Sequence, residues 1–163
     1  MLLLPIMKRR NPNIAYAYLS FRIVEVTILI AGLLGPLLLI PLSKEFLRPG
    51  EGDAPWYQAM GSMAVQAKFL AFQISMLFTA AGGLLLCMSL YASSLIPRLI
   101  SALGLLGYAL LLASVILDLP GMVDMKGAGM ALYIPGGLFE LLVFPLYLIC
   151  RGFNPAENSE GKV

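Results

Sequence analysis

The chain has 163 residues, of which 60% are hydrophobic and 12% are charged, and its formal net charge is +2. Soluble domains carry about a quarter charged residues, so this chain has too little polar surface to cover a water-exposed exterior. The small net charge argues against nucleic acid as a partner. The absence of histidine excludes histidine-ligated metal sites and Ser-His-Asp triads. We therefore expect an integral membrane protein in contact with the lipid bilayer, without a metal or another cofactor.

Four apolar runs are long enough to cross a membrane, because a spanning helix needs roughly 20 mostly apolar residues. Backbone hydrogen bonds must close within the membrane, which favours helices, and the alternating segments typical of a β-barrel are absent. The sequence predicts an all-α fold, a membrane four-helix bundle that forms one domain over 1–163. The predicted helices cover about 14–42, 67–93, 98–117 and 129–150, with an outer loop over 43–66 and a disordered tail over 151–163.

The distribution of Lys and Arg predicts the orientation of the bundle. An even number of spans places both termini on one side, and that side holds Lys8, Arg9, Arg10, Arg98, Arg151 and Lys162. The opposite side holds Lys44, Arg48, Lys68 and Lys126. Because cytoplasmic segments carry the excess of basic residues, we expect both termini in the cytoplasm. The apolar residues before Lys8 then form a cytoplasmic lead-in or the stump of an earlier helix.

Three ionisable residues lie inside predicted spans: Arg22 and Glu25 on the first helix and Glu140 on the fourth. Such residues are costly in hydrocarbon and normally face the bundle interior with a partner. Counted at about 1.5 Å per residue, all three lie at similar depth, so a buried cluster between helices one and four is predicted. The polar neighbours expected to share its charge are Gln73, Tyr16, Tyr18 and Tyr108. The cluster is either a structural clamp or a proton or ligand site.

Other polar residues receive simpler interpretations. Trp56 and Tyr57 follow the charged part of the outer loop and suit an interfacial anchor, with a substrate-binding lid as the alternative. Asp118 is expected to be a solvated loop charge. Small residues four positions apart, among them the pairs Ala31/Gly35, Thr79/Gly83 and Ala109/Ala113, predict close helix packing.

Several segments resemble a known bacterial membrane-protein family, domain of unknown function 4386. They are Lys8–Asn11, Phe21–Glu25, Leu42–Phe46, Ile134–Glu140 and Arg151–Phe153. The resemblance covers about residues 7–154 and implies an integral membrane protein without an established activity. Members of that family are longer, with further helices before Lys8, so the resemblance implies a short member, a late start codon or a fragment. It also implies the bacterial cytoplasmic (inner) membrane as the location.

Three classes of function remain open. The first is a structural or partner-binding membrane protein in which the Arg/Glu cluster fixes helix packing, with a second copy or another membrane protein as possible partner. The second is an oligomeric transporter or channel component, or a lipid-binding protein, that uses Arg22, Glu25 and Glu140. The third is a membrane enzyme with carboxylate acid–base chemistry, which ranks last because the sequence carries no recognisable catalytic motif.

Overall fold

The structure, a computed structural model, describes residues 4–47, 55–93, 95–118, 131 and 133–152. All regular structure in this part of the chain is helical. The helices are α1 (Leu4–Arg10), α2 (Pro12–Phe46), α3 (Pro55–Ser93), α4 (Arg98–Asp118) and α5 (Ile134–Arg151). The helices α2 to α5 are each long and apolar enough to cross a membrane. The prediction of an all-α chain with four candidate spans is therefore confirmed within the described residues.

Helix α2 begins at a well-formed cap. The side chain of Asn11 accepts hydrogen bonds from the backbone N–H groups of Asn13 (3.1 Å) and Ile14 (3.3 Å), which would otherwise lack partners in the first helical turn. Pro12 occupies the first turn, where its missing N–H has no cost. The helix continues through Pro36 and Pro41 to Phe46, because a proline inside a membrane helix is tolerated when neighbouring helices support the backbone.

The predicted outer loop over 43–66 is wrong for 43–46, which belong to α2, and for 55–66, which belong to α3. The length of an apolar, charge-free segment predicts how much of a helix can lie in lipid. The helix itself can extend beyond that segment, as long as its backbone N–H and C=O groups remain hydrogen-bonded. Polar residues such as Lys44 and Gln58 are compatible with a helix. Residues 48–54 lie outside the described part of the chain.

Helices α2 and α3 pack antiparallel along most of their length. Phe21 lies beside Phe78, with ring centroids 6.0 Å apart, and Phe46 lies beside Tyr57 at 5.8 Å. Between these contacts the backbones approach closely, since a Cβ atom added at Gly35 would lie 2.7 Å from the carbonyl oxygen of Ala64. Glycine removes the side chain that would hold the two helices apart.

The remaining helices pack in chain order, α4 on α3 and α5 on α4. At the α4–α5 contact, a Cβ atom at Gly107 would lie 3.1 Å from the backbone of Pro135, so small residues again allow a close approach. Ala109 and Ala113, by contrast, are exposed. The pair lies on a face of α4 turned away from the other described helices, so the close packing expected of it stays a prediction.

Helix α5 begins at Ile134, later than the predicted start at 129. Residues 131 and 133 lie in a 3₁₀ turn, and residues 129 and 130 lie outside the described part of the chain. So does the predicted disordered tail beyond Gly152, while Arg151 belongs to the helix. Within α5, Phe139–Val143 forms a π-helical turn, directly before Pro145, which has no N–H for an ordinary α-helical bond to Leu141.

The buried core lies mainly between α3 and α4, where Leu86, Leu90, Leu111 and Val115 are at most 3% exposed. Helix α2 differs: among its 35 residues only Ala15 and Glu25 are buried. Its exposed leucines and isoleucines are typical of a helix that faces lipid. A buried glutamate on such a helix requires an explanation, and its contacts define the candidate site.

Candidate functional site

Arg22 on α2 connects α2 to α5. Its Nη1 donates to both carboxylate oxygens of Glu25, at 3.2 and 2.9 Å, and its Nη2 donates to Oε1 of Glu140 at 2.5 Å. The Nε atom donates to the hydroxyl oxygen of Tyr18 at 3.3 Å. All three guanidinium nitrogens therefore have partners. The Glu25 bonds follow from the three-residue spacing on one helical face, whereas the Glu140 bond depends on the tertiary fold.

Tyr108 on α4 supplies the second partner of Glu140. Its hydroxyl donates to Oε2 of Glu140 at 2.9 Å, and the ring is almost fully buried. Gly83 on α3 makes room for this ring, because a Cβ atom at that position would overlap it. The network of Arg22, Glu25, Glu140, Tyr18 and Tyr108, called the charge network below, thus includes residues from α2, α4 and α5.

Glu140 lies in the π-helical turn of α5. Such turns interrupt α-helices mostly as single wide turns and are frequent at functional sites. Although Glu140 lies in the interior of an apolar helix, its side chain keeps 35% of its accessible surface, against 11% for Glu25. Glu140 also lines a cavity.

This cavity has a volume of about 630 Å³ and lies between α3, α4 and α5, with Glu25 of α2 in its wall. Its walls are largely apolar, with Phe69, Phe72, Met76, Leu111 and Leu141 among them. Phe69, Phe72 and Leu141 are also exposed at the outside of the protein. The cavity therefore reaches from the charge network to the helix surface that faces lipid in a spanning bundle.

A second polar group lies at the other end of the cavity. The side-chain amide of Gln73 on α3 donates to Oδ2 of Asp118, the last residue of α4. Tyr133 lies nearby, with its ring 6.5 Å from that of Phe72. Burial first, and the Asp118 carboxylate second, raise the pKa of the Tyr133 phenol. The raised pKa keeps the phenol a hydrogen-bond donor to higher pH than an ordinary tyrosine.

The charges around the cavity do not balance. Glu25, Asp118 and Glu140 line it, and none of the described lining residues is Lys or Arg. Arg22 is not among the lining residues, but it is bonded to Glu25 and Glu140. When all four groups are ionised, the three carboxylates and this one guanidinium have a formal charge of −2. The described residues contain no group of three or more His, Cys, Asp or Glu side chains that could hold a metal ion.

The predicted site residues fall into separate places. Arg22, Glu25 and Glu140 are in contact, as are two of the four expected polar neighbours, Tyr18 and Tyr108. Gln73 lines the same cavity, yet it bonds Asp118 instead of the Arg/Glu cluster. Tyr16 lies beside Lys8, whose Nζ is 5.3 Å from its ring centroid. Helical rise predicts the depth of a side chain but not the direction in which it points around the helix. Tyr16 and Tyr18 lie at similar depth and differ in that direction.

Asp118 and Tyr133 are the residues that sequence reasoning missed. Asp118 is not a solvated loop charge, because its helix places it against Gln73 and the cavity. A polar residue within an apolar run, such as Gln73, normally needs a partner, and this was the signal that could have led to Asp118.

Trp56 and Tyr57, the predicted interfacial anchor, lie in the first turn of α3 and away from the cavity. Their rings are stacked with centroids 3.6 Å apart. Tyr57 is buried against Phe46, whereas Trp56 is 51% exposed. The exposed indole is available to lipid head groups, and its interfacial role stays a prediction.

A comparison with protein families finds a match over most of the chain. The family model described as "Domain of unknown function (DUF4386)" matches residues 1–152. The chain belongs to this family. The resemblance carried by the Phe21–Glu25 and Ile134–Glu140 segments is thereby confirmed, and both segments contribute residues to the charge network. No curated protein and no solved structure matches the chain. Membership of the family, together with four apolar helices, is consistent with an integral membrane protein, and it assigns no activity.

Proposed function

We propose that the chain is a membrane-embedded binding protein that takes up a small, largely apolar molecule in the cavity between α3, α4 and α5. The observation that carries the proposal is the cavity of about 630 Å³ that reaches Glu140. Ligand sites typically have volumes of about 300–1,000 Å³, mostly apolar walls and a few convergent polar groups. This cavity has all three properties.

The location of the cavity supports uptake from the bilayer. Its rim includes exposed apolar side chains, Phe69, Phe72 and Leu141, and these would contact lipid chains in a spanning bundle. A ligand with an apolar body can therefore enter without first leaving the membrane. We further propose that the protein lies in the bacterial cytoplasmic membrane, as the family resemblance implies, and the distribution of Lys and Arg supports a cytoplasmic position of both termini.

A purely structural role is the second candidate, and the Arg22–Glu140 bond favours it. Helix α5 packs mainly on α4. The ion pair between Arg22 Nη2 and Glu140 Oε1, at 2.5 Å, connects α5 to α2 as well. This clamp and the binding site share residues. The two candidate functions differ in whether the cavity is needed. A binding site requires an accessible cavity, whereas a structural clamp does not.

Labelling with a neutral, lipid-soluble diazirine, trifluoromethylphenyl-diazirine, would separate the two candidates. In lipid nanodiscs the probe labels lipid-facing residues such as Leu34 and Leu38 directly. It reaches the buried side chains of Thr79 and Tyr108 only through the cavity. Ligand binding predicts labelled α3 and α4 peptides around these two residues, identified by mass spectrometry.

Gly137 offers a matched pair of variants for this experiment. It lines the cavity, and a Cβ atom there would meet nothing within 4 Å. Gly137→Phe should fill the cavity and remove the labelling at Thr79 and Tyr108, whereas Gly137→Ala should retain it. Labelling of Leu34 and Leu38 should be equal in both variants. Absence of cavity labelling in the unmodified protein, or unchanged labelling in Gly137→Phe, would contradict the binding function.

A further inference from the structure

The cavity combines two properties that restrict its ligand. Its walls are largely apolar, and its described charged lining residues are all carboxylates: Glu25, Asp118 and Glu140. A binding site of one sign of charge selects ligands of the opposite sign, because its potential is strongest where low-dielectric walls exclude water. The cavity is therefore unsuited to an anionic lipid or a fatty acid.

The three carboxylates differ in what already neutralises them. Both oxygens of Glu25 accept bonds from Nη1 of Arg22, at 3.2 and 2.9 Å. Glu140 shares the same arginine through one oxygen and receives a neutral phenol from Tyr108 on the other. Asp118 receives a neutral amide from Gln73. One arginine is thus shared between Glu25 and Glu140, and Asp118, at the other end of the cavity, has a neutral partner among the described residues.

Glu140 also has the capacity to accept a further donor. A carboxylate offers about four acceptor positions, and the side chain of Glu140 is 35% accessible. A net negative charge in hydrocarbon is unfavourable unless a counter-charge is near. A ligand that carries a positive charge would supply it.

The aromatic side chains in the wall favour the same class of ligand. Phe69, Phe72, Tyr108 and Tyr133 line the cavity, and aromatic faces attract organic cations. A bare metal ion fits poorly, because it needs several converging oxygen ligands, and the carboxylates of Glu140 and Asp118 are held apart by separate partners on separate helices.

We infer that the cavity binds a lipophilic organic cation, with its apolar body against the wall of Phe72, Met76 and Leu111 and its charge paired with Glu140 or Asp118. The inference rests on the proposed binding function and names its ligand class. It requires the cation to enter an occupied network without breaking it, which the accessible part of Glu140 permits.

Two probes of the same shape and opposite charge test the ligand class. Tetraphenylphosphonium and tetraphenylborate are added to the diazirine experiment at equal bilayer-bound concentrations. The inference predicts that tetraphenylphosphonium suppresses the labelling of Thr79 and Tyr108 at concentrations on the order of tenfold lower than tetraphenylborate does, as expected for one favourable and one unfavourable charge contact. Labelling of Leu34 should not change with either ion.

Variants of the carboxylates extend the test. Asp118→Asn removes the negative charge but keeps an oxygen that can accept from Gln73. Glu140→Gln likewise removes the charge and keeps an oxygen that can accept from Tyr108. Each should reduce the preference for the cation by on the order of tenfold, whereas Glu45→Gln, at the far end of α2, should leave it unchanged. Asp118→Asn keeps the test valid where Glu140→Gln fails to fold.

The outcomes separate this inference from the binding function. Missing cavity labelling contradicts both. Cavity labelling that both ions suppress equally, or that tetraphenylborate suppresses better, overturns the cation inference and leaves the binding function standing. A preference for the cation that survives both carboxylate variants also overturns the inference, because the carboxylates would then not be its cause.

Discussion

Arg22 on α2 and Glu140 on α5 form an ion pair of 2.5 Å between residues that are 118 positions apart in the sequence. The guanidinium simultaneously holds Glu25, so one positive side chain has two negative partners inside an apolar bundle. This asymmetry determines how the network should respond to mutation. Removal of the arginine leaves two uncompensated carboxylates, whereas removal of either carboxylate leaves a balanced pair.

Arg22→Met should therefore destabilise the protein more than Glu140→Gln. Breaking a buried ion pair by removing one partner costs about 3–5 kcal/mol, because the remaining charge is left uncompensated. In Glu140→Gln the amide can still accept from Arg22, and Glu25 keeps its partner. The measurement is the free energy of unfolding in bicelles. Equal stability of Arg22→Met and the unmodified protein would show that the network does not hold α5 against α2.

Tyr108→Phe and Gly83→Ala should act on the same contact. The first removes the hydroxyl that donates to Glu140, a loss of about 1.5–3 kcal/mol for a hydrogen bond to a charged group. The second adds a methyl group where the Tyr108 ring lies, and the ring must move away from Glu140. The double variant should lose less than the sum of the single losses. Strict additivity in unfolding experiments would mean that Gly83 does not position Tyr108.

Gly35→Ala should weaken the packing of α2 on α3. The added methyl carbon would lie 2.7 Å from the carbonyl oxygen of Ala64, which is backbone and cannot rotate away. Overpacking of this kind costs about 1–3 kcal/mol. Gly61→Ala is the control, since its nearest neighbour would be Leu39 Cδ2 at 3.9 Å. Its better helix propensity should leave stability equal or raise it by up to about 1 kcal/mol. Similar unfolding curves for the two variants would rule out a close backbone approach.

Trp56 should report the depth of the start of α3. It is the single tryptophan of the chain and is 51% exposed. If it is an interfacial anchor, lipids brominated near the head group should quench its fluorescence more strongly than lipids brominated near the chain end. Trp56→Phe is the control for background signal. Quenching by neither lipid would place the indole in water and refute the anchor.

The sequence was most informative where the physics is local. Run length predicted four spans, and the three-residue spacing of Arg22 and Glu25 predicted their contact. Depth along the helices placed Glu140 near both, although α5 lies more than a hundred residues later. These inferences needed only helical rise and the cost of charge in lipid.

The sequence was least informative where direction around a helix matters. Gln73 and Tyr16 lie at plausible depths but point elsewhere, to Asp118 and Lys8. The π-helical turn at Glu140 changes the angular position of the residues after it, and a fixed helical period cannot represent that change. The cavity itself has no signature in the sequence, because it arises from the spacing of three helices.

The length of α3 fixes the distance between the exposed tryptophan at its start and the cavity. Trp56 and Gln73 are seventeen positions apart on one continuous helix, which corresponds to about 26 Å at 1.5 Å per residue. An upright α3 cannot hold both at the same membrane surface. If the indole marks the surface, Gln73, Asp118 and the neighbouring end of the cavity lie about 26 Å below it, beyond the middle of a hydrocarbon core about 30 Å thick. If Asp118 marks it, the start of α3 stands far outside the lipid. The fluorescence of one tryptophan therefore also fixes the depth at which a ligand would meet the cavity.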